Sequence, residues 1–159
     1  MTNSSRNFDT IAATFDENPR RVKLAADIAR AISEAVALSP DMDVMDFGCG
    51  TGLVTLLLQP HVRSVTGVDS SWGMLDMLDR KIAAQRLKNV RALCVDIDKG
   101  ERLAGSYDLV TSSMTLHHIR DIGPLFAQFY GIVRPGGHLC IADLDTEDGL
   151  FHDDAAGVF

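Results

Sequence analysis

The chain is poor in the features that mark secreted, membrane-spanning and metal-binding proteins. It has three cysteines, Cys49, Cys94 and Cys140, at wide and unpaired spacings. An odd, scattered count excludes a disulfide framework and fits a reducing compartment. No Cys-x-x-Cys or His-x-x-x-His pair occurs, so no metal site is expected. No apolar run approaches the ~20 residues that cross a bilayer, and no signal peptide is recognisable. Net charge is −7, which disfavours a broad contact with nucleic acid. The local basic residues Arg20, Arg21, Lys23 and Arg30 are interleaved with Asp27 and Glu34 and read as a solvated helix face. These absences predict a soluble, cytoplasmic protein with no membrane insertion and no nucleic-acid partner.

What is present is an ordinary globular composition, 46% hydrophobic over 159 residues, which fits one domain with a real core. The most informative stretch is Val44 to Thr55. A short apolar run (Val44, Met45, Phe47) is interrupted by Asp46 and leads into Gly48, Gly50 and Gly52; Leu53 to Leu58 follows at once. That order is strand, tight loop, helix. Alternate glycines let the backbone turn sharply and let a ligand lie against bare peptide. The third glycine comes one residue too early for the dinucleotide fingerprint G-x-G-x-x-G, which weakens an NAD-dependent reading.

Further apolar runs repeat the pattern. Val65 to Val68 ends in Asp69-Ser70, and Val90 to Val95 ends in Asp96-Ile97. Tyr107 to Thr111 ends in Ser112-Ser113 and leads to His117-His118. A fifth run, His138 to Ala142, follows a helix over Pro124 to Val133 and a turn Arg134-Pro-Gly-Gly137. In an open α/β sheet, ligands bind outside the carboxyl ends of the strands, where these polar residues would collect. An acid about 20 residues past a glycine loop is placed to accept from a ribose diol. Ser71 is a candidate N-cap for a helix with apolar face Met74, Leu75, Leu78 and Ile82, and Arg80, Lys81, Arg86 and Lys88 suit the dipole of its later turns. Toward the N-terminus, residues 1 to 7 are polar and expected to fray. Phe8 to Phe15 reads as a short helix. Asn18-Pro19 opens a longer one with apolar face Val22, Ala25, Ile28, Ala29, Ile32 and Val36.

From Met42 to Asp143 this order and spacing resembles the class I S-adenosylmethionine (SAM)-dependent methyltransferases. The nearest subgroup is that of the ubiquinone and menaquinone biosynthesis enzymes and their small-molecule relatives. The segments that carry the resemblance are Val44–Gly52, Val65–Asp69, Cys94–Ile97, Tyr107–Ile119 and Arg134–Asp143. It implies an α/β fold: a Rossmann-like, mostly parallel sheet in the order 3-2-1-4-5, with helices on both faces. It also implies SAM as cofactor, S-adenosylhomocysteine as product and a small molecule as methyl acceptor. The cofactor-binding set carried over is Asp46, Gly48, Cys49, Gly50, Gly52, Asp69, Ser70, Met74, Asp96, Ile97 and Ser112. Within it, Asp69 would hold the ribose, Asp96 and Ile97 the adenine, and Asp46 the ammonium group of the methionine moiety.

Several of these residues have a second reading. Asp46 would equally cap the amides of its own loop, Asp69 would suit the dipole of the following helix, and Met74 would serve as core. His117 is the candidate catalytic base; a structural role for one or both histidines is the alternative. Residues 1–40 would form a helical lid with Phe8, Phe15 and Arg20 toward the ligand, 41–145 the SAM-binding core, and 146–159 a tail at a truncation point. The family's final antiparallel hairpin is missing, so the fifth strand is expected to be an open edge, covered by Leu150, Phe151, Val158 and Phe159 or paired in a homodimer. The competing function is a non-catalytic SAM- or nucleotide-binding domain, or an inactive fragment that self-associates.

Overall fold

The computed structural model describes residues 8–145. The expectations for residues 1 to 7 and for the tail side chains Leu150, Phe151, Val158 and Phe159 lie outside the described residues. Helix α1 (Phe8–Ile11) runs into a 3-10 helix (Ala12–Glu17), and α2 covers Pro19–Ala35. Then come β1 (Asp43–Phe47), α3 (Leu53–Leu58), β2 (Ser64–Asp69), α4 (Trp72–Gln85) and β3 (Val90–Cys94). The described chain closes with β4 (Tyr107–Ser113), α5 (Ile122–Ile132) and β5 (Val133–Ala142). The five strands form one sheet in the order β3-β2-β1-β4-β5, every pair parallel. The order reverses at β1, so β1 and β4 part their loops in opposite directions and open a crevice at their carboxyl ends.

Local chemistry explains the helix starts. Asn18 accepts the Arg20 N–H at 2.9 Å, with Pro19 in the first turn. Ser71 accepts the Met74 N–H at 3.2 Å and opens α4. Alternate strand residues face opposite sides of the sheet. Val44, Val65 and Leu109 pack with Ala25, Ile28, Ala29 and Ile32 of α2 and with Val54 and Leu58 of α3. Met45, Phe47, Val68 and Val110 pack on the other side against Leu125, Phe129 and Ile132 of α5. Leu75 and Leu78 of α4 meet Val90 and Cys49. Among the described residues no helix is long and apolar enough to cross a membrane.

Four expectations change. The helix over Phe8 to Phe15 breaks after Ile11, where Asp16 is drawn to the Thr51 hydroxyl and the Lys81 ammonium. Lys81 therefore answers Asp16 and the Thr51 carbonyl rather than the end of its own helix. Val22 turns outward from the apolar face of α2, whose Ala25, Ile28, Ala29 and Ile32 pack into the core. The Arg134–Gly137 turn lies inside β5 as an irregularity: Tyr107 pairs with Val133 but Leu109 with His138, and Gly136 has a φ of +79°. Arg134 there joins the strands at the amino edge. Its guanidinium reaches Asp108 at 2.6 Å and Asp43 at 3.0 Å, and Asp43 also holds Arg63.

Candidate functional site

The glycine loop is held from β2. The Gly48 and Cys49 N–H groups donate to the Val68 carbonyl at 2.7 and 3.0 Å. The Gly50 N–H donates to Asp69 Oδ2 at 2.8 Å, and Asp69 Oδ1 accepts the Ser71 N–H at 2.9 Å. Asp69 thus ties the loop to the start of α4, a local role that the charge-and-dipole reading only partly described. Each carboxylate oxygen has a further lone pair for a ligand hydroxyl. Burial pushes the Asp69 carboxyl up, against the hydrogen bonds from Ser71, Gly50 and Ser70 that favour its ionised form.

Asp46 is 1% exposed and does not cap its own loop. Its Oδ2 accepts the Thr55 hydroxyl of α3 at 2.6 Å, and its Oδ1 has no partner. Burial, and then the Asp69 charge, push its carboxyl up to about 7, although the Thr55 hydroxyl works the other way. The hydroxyls of Thr111 and Ser112 on β4 are also buried without partners. Thr111 pairs in register with Asp46, and Ser112 with Phe47. Among the described residues, Asp46 and Thr111 therefore bring two unsatisfied buried oxygens to one face of the sheet near the ends of β1 and β4, and Ser112 a third to the opposite face.

Two glycines define the loop's surroundings. A Cβ on Gly48 (φ +72°) would lie 2.1 Å from the Thr115 hydroxyl, so the turn after β4 sits directly on the loop. A Cβ on Gly50 (φ +54°) would meet only Met74 Sδ, at 4.0 Å. That leaves a bare stretch of peptide facing open space. Met74 itself is 2% exposed and is core as well as loop neighbour. Cys49 is buried, its thiol pushed up by burial and by the Asp46 and Asp69 charges; Ser70 is exposed. Asp96 lies at the end of β3, where its side chain accepts the Asp98 N–H at 3.1 Å and pairs with Lys99 at 2.9 Å; Ile97 is half-buried beside it.

His117 is buried and His118 half-buried, with ring centroids 4.0 Å apart. His117 Nδ1 is 2.5 Å from Asp143 Oδ1, and Phe8 sets its ring edge-on to His118 at 5.5 Å. Phe15 stacks under Arg21 at 4.2 Å, and Arg20 is exposed and donates its backbone N–H to Asn18.

Three acids escaped sequence reasoning as site residues. Asp9 accepts the Ser71 hydroxyl at 2.6 Å and the Gly73 N–H at 2.7 Å; Asp16 accepts the Thr51 hydroxyl at 2.5 Å. Asp143 holds His117. Their partners are remote in sequence, so no local spacing announces them. A separate cavity of about 350 Å³, bounded by Asp43, Ser64, Asn89 and Tyr107, opens at the amino ends of the strands. Ligands of open parallel sheets bind at the carboxyl ends, so the glycine loop, and not this cavity, marks the site.

A parallel 3-2-1-4-5 sheet with a glycine loop after β1 and an acid after β2 is a Rossmann-like domain with a small-molecule crevice. The methyltransferase domain family model matches residues 19–156, and the chain belongs to that family. It is 36% identical over 126 residues to trans-aconitate 2-methyltransferase of Deinococcus radiodurans, covering 78% of this chain and 46% of that protein. It is 32% identical over 124 residues to an uncharacterized methyltransferase of Schizosaccharomyces pombe, covering 71% and 44%. A ubiquinone biosynthesis O-methyltransferase of Coxiella burnetii is 31% identical over 102 residues, covering 64% and 43%. The chain thus spans less than half the length of these curated relatives. Among solved structures, the DhpI complex with SAH superposes with a TM-score of 0.74 at 23% identity, covering 89% of this chain and 67% of that one. That likeness concerns the fold.

Proposed function

We propose that this chain binds SAM in the crevice above β1, β2 and β4 and transfers its methyl group to a small-molecule acceptor. The observation that carries the reading is the glycine loop itself. Its Gly50 peptide is bare, and the unsatisfied oxygens of Asp46, Thr111 and Ser112 lie at the adjoining strand ends. A cationic ammonium suits Asp46 Oδ1, which lacks a donor. A ribose diol suits the remaining lone pairs of Asp69. Asp96 and Ile97, one strand further out, suit an adenine ring. The names of the Coxiella and Deinococcus relatives support a small acceptor, and the family supports SAM.

When bound, SAM supplies an electrophilic methyl carbon, so the protein's task is chiefly to hold an acceptor atom in line with it. His117 is the residue best suited to accept a proton from that acceptor. Calorimetry of the full chain with SAM, SAH and NAD tests the binding; heat with SAM and SAH but not NAD is expected. Tight NAD binding with no response to either SAM form would sink the reading. SAM binding without product on any acceptor would favour the non-catalytic alternative. Self-association belongs to the same proposal: Leu139 and Ile141 are exposed on β5, which pairs only with β4 among the described residues. Light scattering across a dilution series tests it.

A further inference from the structure

The cleft at the amino ends of the strands lies at the opposite end of the sheet from the glycine loop. β2 runs from Ser64 in its wall to Asp69 at the crevice, a distance of roughly 16 Å at strand rise. Val65 and Thr66 of β2 with Val90 and Arg91 of β3 line one side, and the chain entering β4, Gly105 to Tyr107, lines the other. Its volume of about 350 Å³ fits a small molecule.

Both sides are fixed by tertiary contacts. Arg91 donates its Nε–H to the hydroxyl of buried Thr66 at 2.9 Å. That bond uses one donor and sets the plane of the guanidinium, leaving its two terminal NH2 groups. On the other side, the hydroxyl of buried Tyr107 donates to the Ala104 carbonyl at 3.2 Å. Gly105 has a φ of +104°, and a Cβ there would lie 2.8 Å from the Tyr107 hydroxyl. The turn is therefore folded tightly on the ring.

Charge in the cleft is unbalanced. Its carboxylate, Asp43, is answered by Arg63 at 2.9 Å, Arg134 at 3.0 Å and the Ser64 hydroxyl at 2.7 Å, and Asp108 is answered by Arg134. Exposed Asp41 adds its field at Arg63. The Lys88 ammonium and the terminal groups of Arg91 have no hydrogen-bond or ion-pair partner among the described residues. Two unanswered cations thus share one cleft in a chain of net charge −7. β3 is an edge strand, and charge on such strands repels other chains. That use needs charge alone; it does not need Arg91 tied to Thr66 beside an open volume.

We propose that this cleft is a second ligand site, for a small dianion that carries a phosphoryl group or two carboxylates. The terminal NH2 groups of Arg91 take two anionic oxygens side by side, the geometry in which a guanidinium matches phosphate or carboxylate. Lys88 supplies the second positive charge, and Ser106 a hydroxyl. The occupant binds independently of SAM, whose crevice lies at the other end of the strands.

Amide NMR of the full chain tests the site, with sodium phosphate and sodium malonate as probes. The titrations run above neutral pH, where both are dianions, at an ionic strength held constant with sodium chloride. Saturable shifts are expected at Lys88, Arg91, Gly105 and Ser106, with a Kd on the order of 1 mM or tighter. Saturation by phosphate alone assigns a phosphoryl ligand, by malonate alone a dicarboxylate, and by both a site for the dianion they share. Arg91→Ala should weaken binding about tenfold or more, and Lys88→Ala about three- to tenfold. Arg91→Lys keeps the charge without the fork and should weaken it nearly as far as Arg91→Ala. Lys88 is exposed, so its variant keeps the test open should the Arg91 variants fail to fold. Saturating SAM should leave the probe Kd within twofold. No saturation by either probe, shifts confined to the glycine loop, or an Arg91→Ala Kd within twofold of wild type overturns the proposal. Displacement of the probe by SAM overturns it too, because the anion then sits in the cofactor crevice.

Discussion

Asp46→Asn removes a charge whose side-chain partner among the described residues is the Thr55 hydroxyl. The wild-type carboxyl is 1% exposed, bonded to one hydroxyl and close to Asp69, and it titrates at about 7 against 3.8 in the open chain. A carboxyl raised in this way contributes stability that is fully present below its unfolded value. That stability is lost as pH rises through the folded value. The loss from 3.8 to about 7 amounts to about 4 kcal/mol. About 2–3 kcal/mol of it falls between pH 5 and pH 8. The amide keeps the shape and can still accept the Thr55 hydroxyl, but it does not titrate. Urea unfolding of both proteins at pH 5 and pH 8 should therefore show the variant gaining on wild type by about 2–3 kcal/mol across that interval.

The same charge predicts a pH effect on the cofactor. An ammonium group at Asp46 Oδ1 requires the ionised acid, so SAM affinity should rise about tenfold from pH 6 to pH 8 in wild type and stay flat in the variant. A constant stability difference between the two proteins at both pH values would refute the burial argument. A pH-independent SAM affinity in wild type would separately remove the ammonium from Asp46.

Asp69→Ala should weaken SAM binding by about 2–4 kcal/mol and also cost about 1–3 kcal/mol of stability, because the Gly50 and Ser71 N–H groups lose their acceptor. Paired calorimetry and thermal melts check both; unchanged SAM affinity would take Asp69 out of the ribose site. Gly48→Ala should destabilise the fold by roughly 2 kcal/mol or more, through positive φ and collision with Thr115, whereas Gly50→Ala should cost about 1 kcal/mol of stability and chiefly lower SAM affinity. Equal effects of the two substitutions on binding would contradict an open cradle at Gly50. Arg134→Ala should cost about 1–2 kcal/mol at neutral pH without changing SAM affinity, since its ion pairs are partly exposed and lie at the amino edge. The Arg63 hydrogen bond, helped by Ser64 and Arg134 and opposed by burial, holds the Asp43 carboxyl below its usual range. Its contribution is present above the unfolded carboxylate value and lost as pH falls, so the variant should also lose less stability on acidification.

The glycine loop, the polar residues closing each strand, and the caps Asn18 and Ser71 could be read directly, because each is a local pattern. Apolar runs of strand length ending in acids sufficed for a parallel sheet, and the resemblance supplied the strand order. Distribution of partners was decided elsewhere. Asp46 and Asp69 stand near the same loop, yet Asp69 takes its amide and Asp46 takes Thr55 of the next helix. Arg134 sits in a segment that reads as the turn entering the fifth strand, yet its guanidinium closes an ion network with Asp108 and Asp43 at the amino edge of the sheet. His117 looked like a lone candidate base until β5 brought Asp143 to its ring from 26 residues away. The first acids of the chain reach the glycine loop and the start of α4 across 35 to 64 residues. Periodicity and capping report on neighbours along the chain, where short-range geometry fixes the outcome. Which carboxylate meets which donor depends on how strands and helices are stacked, and only tertiary packing sets that.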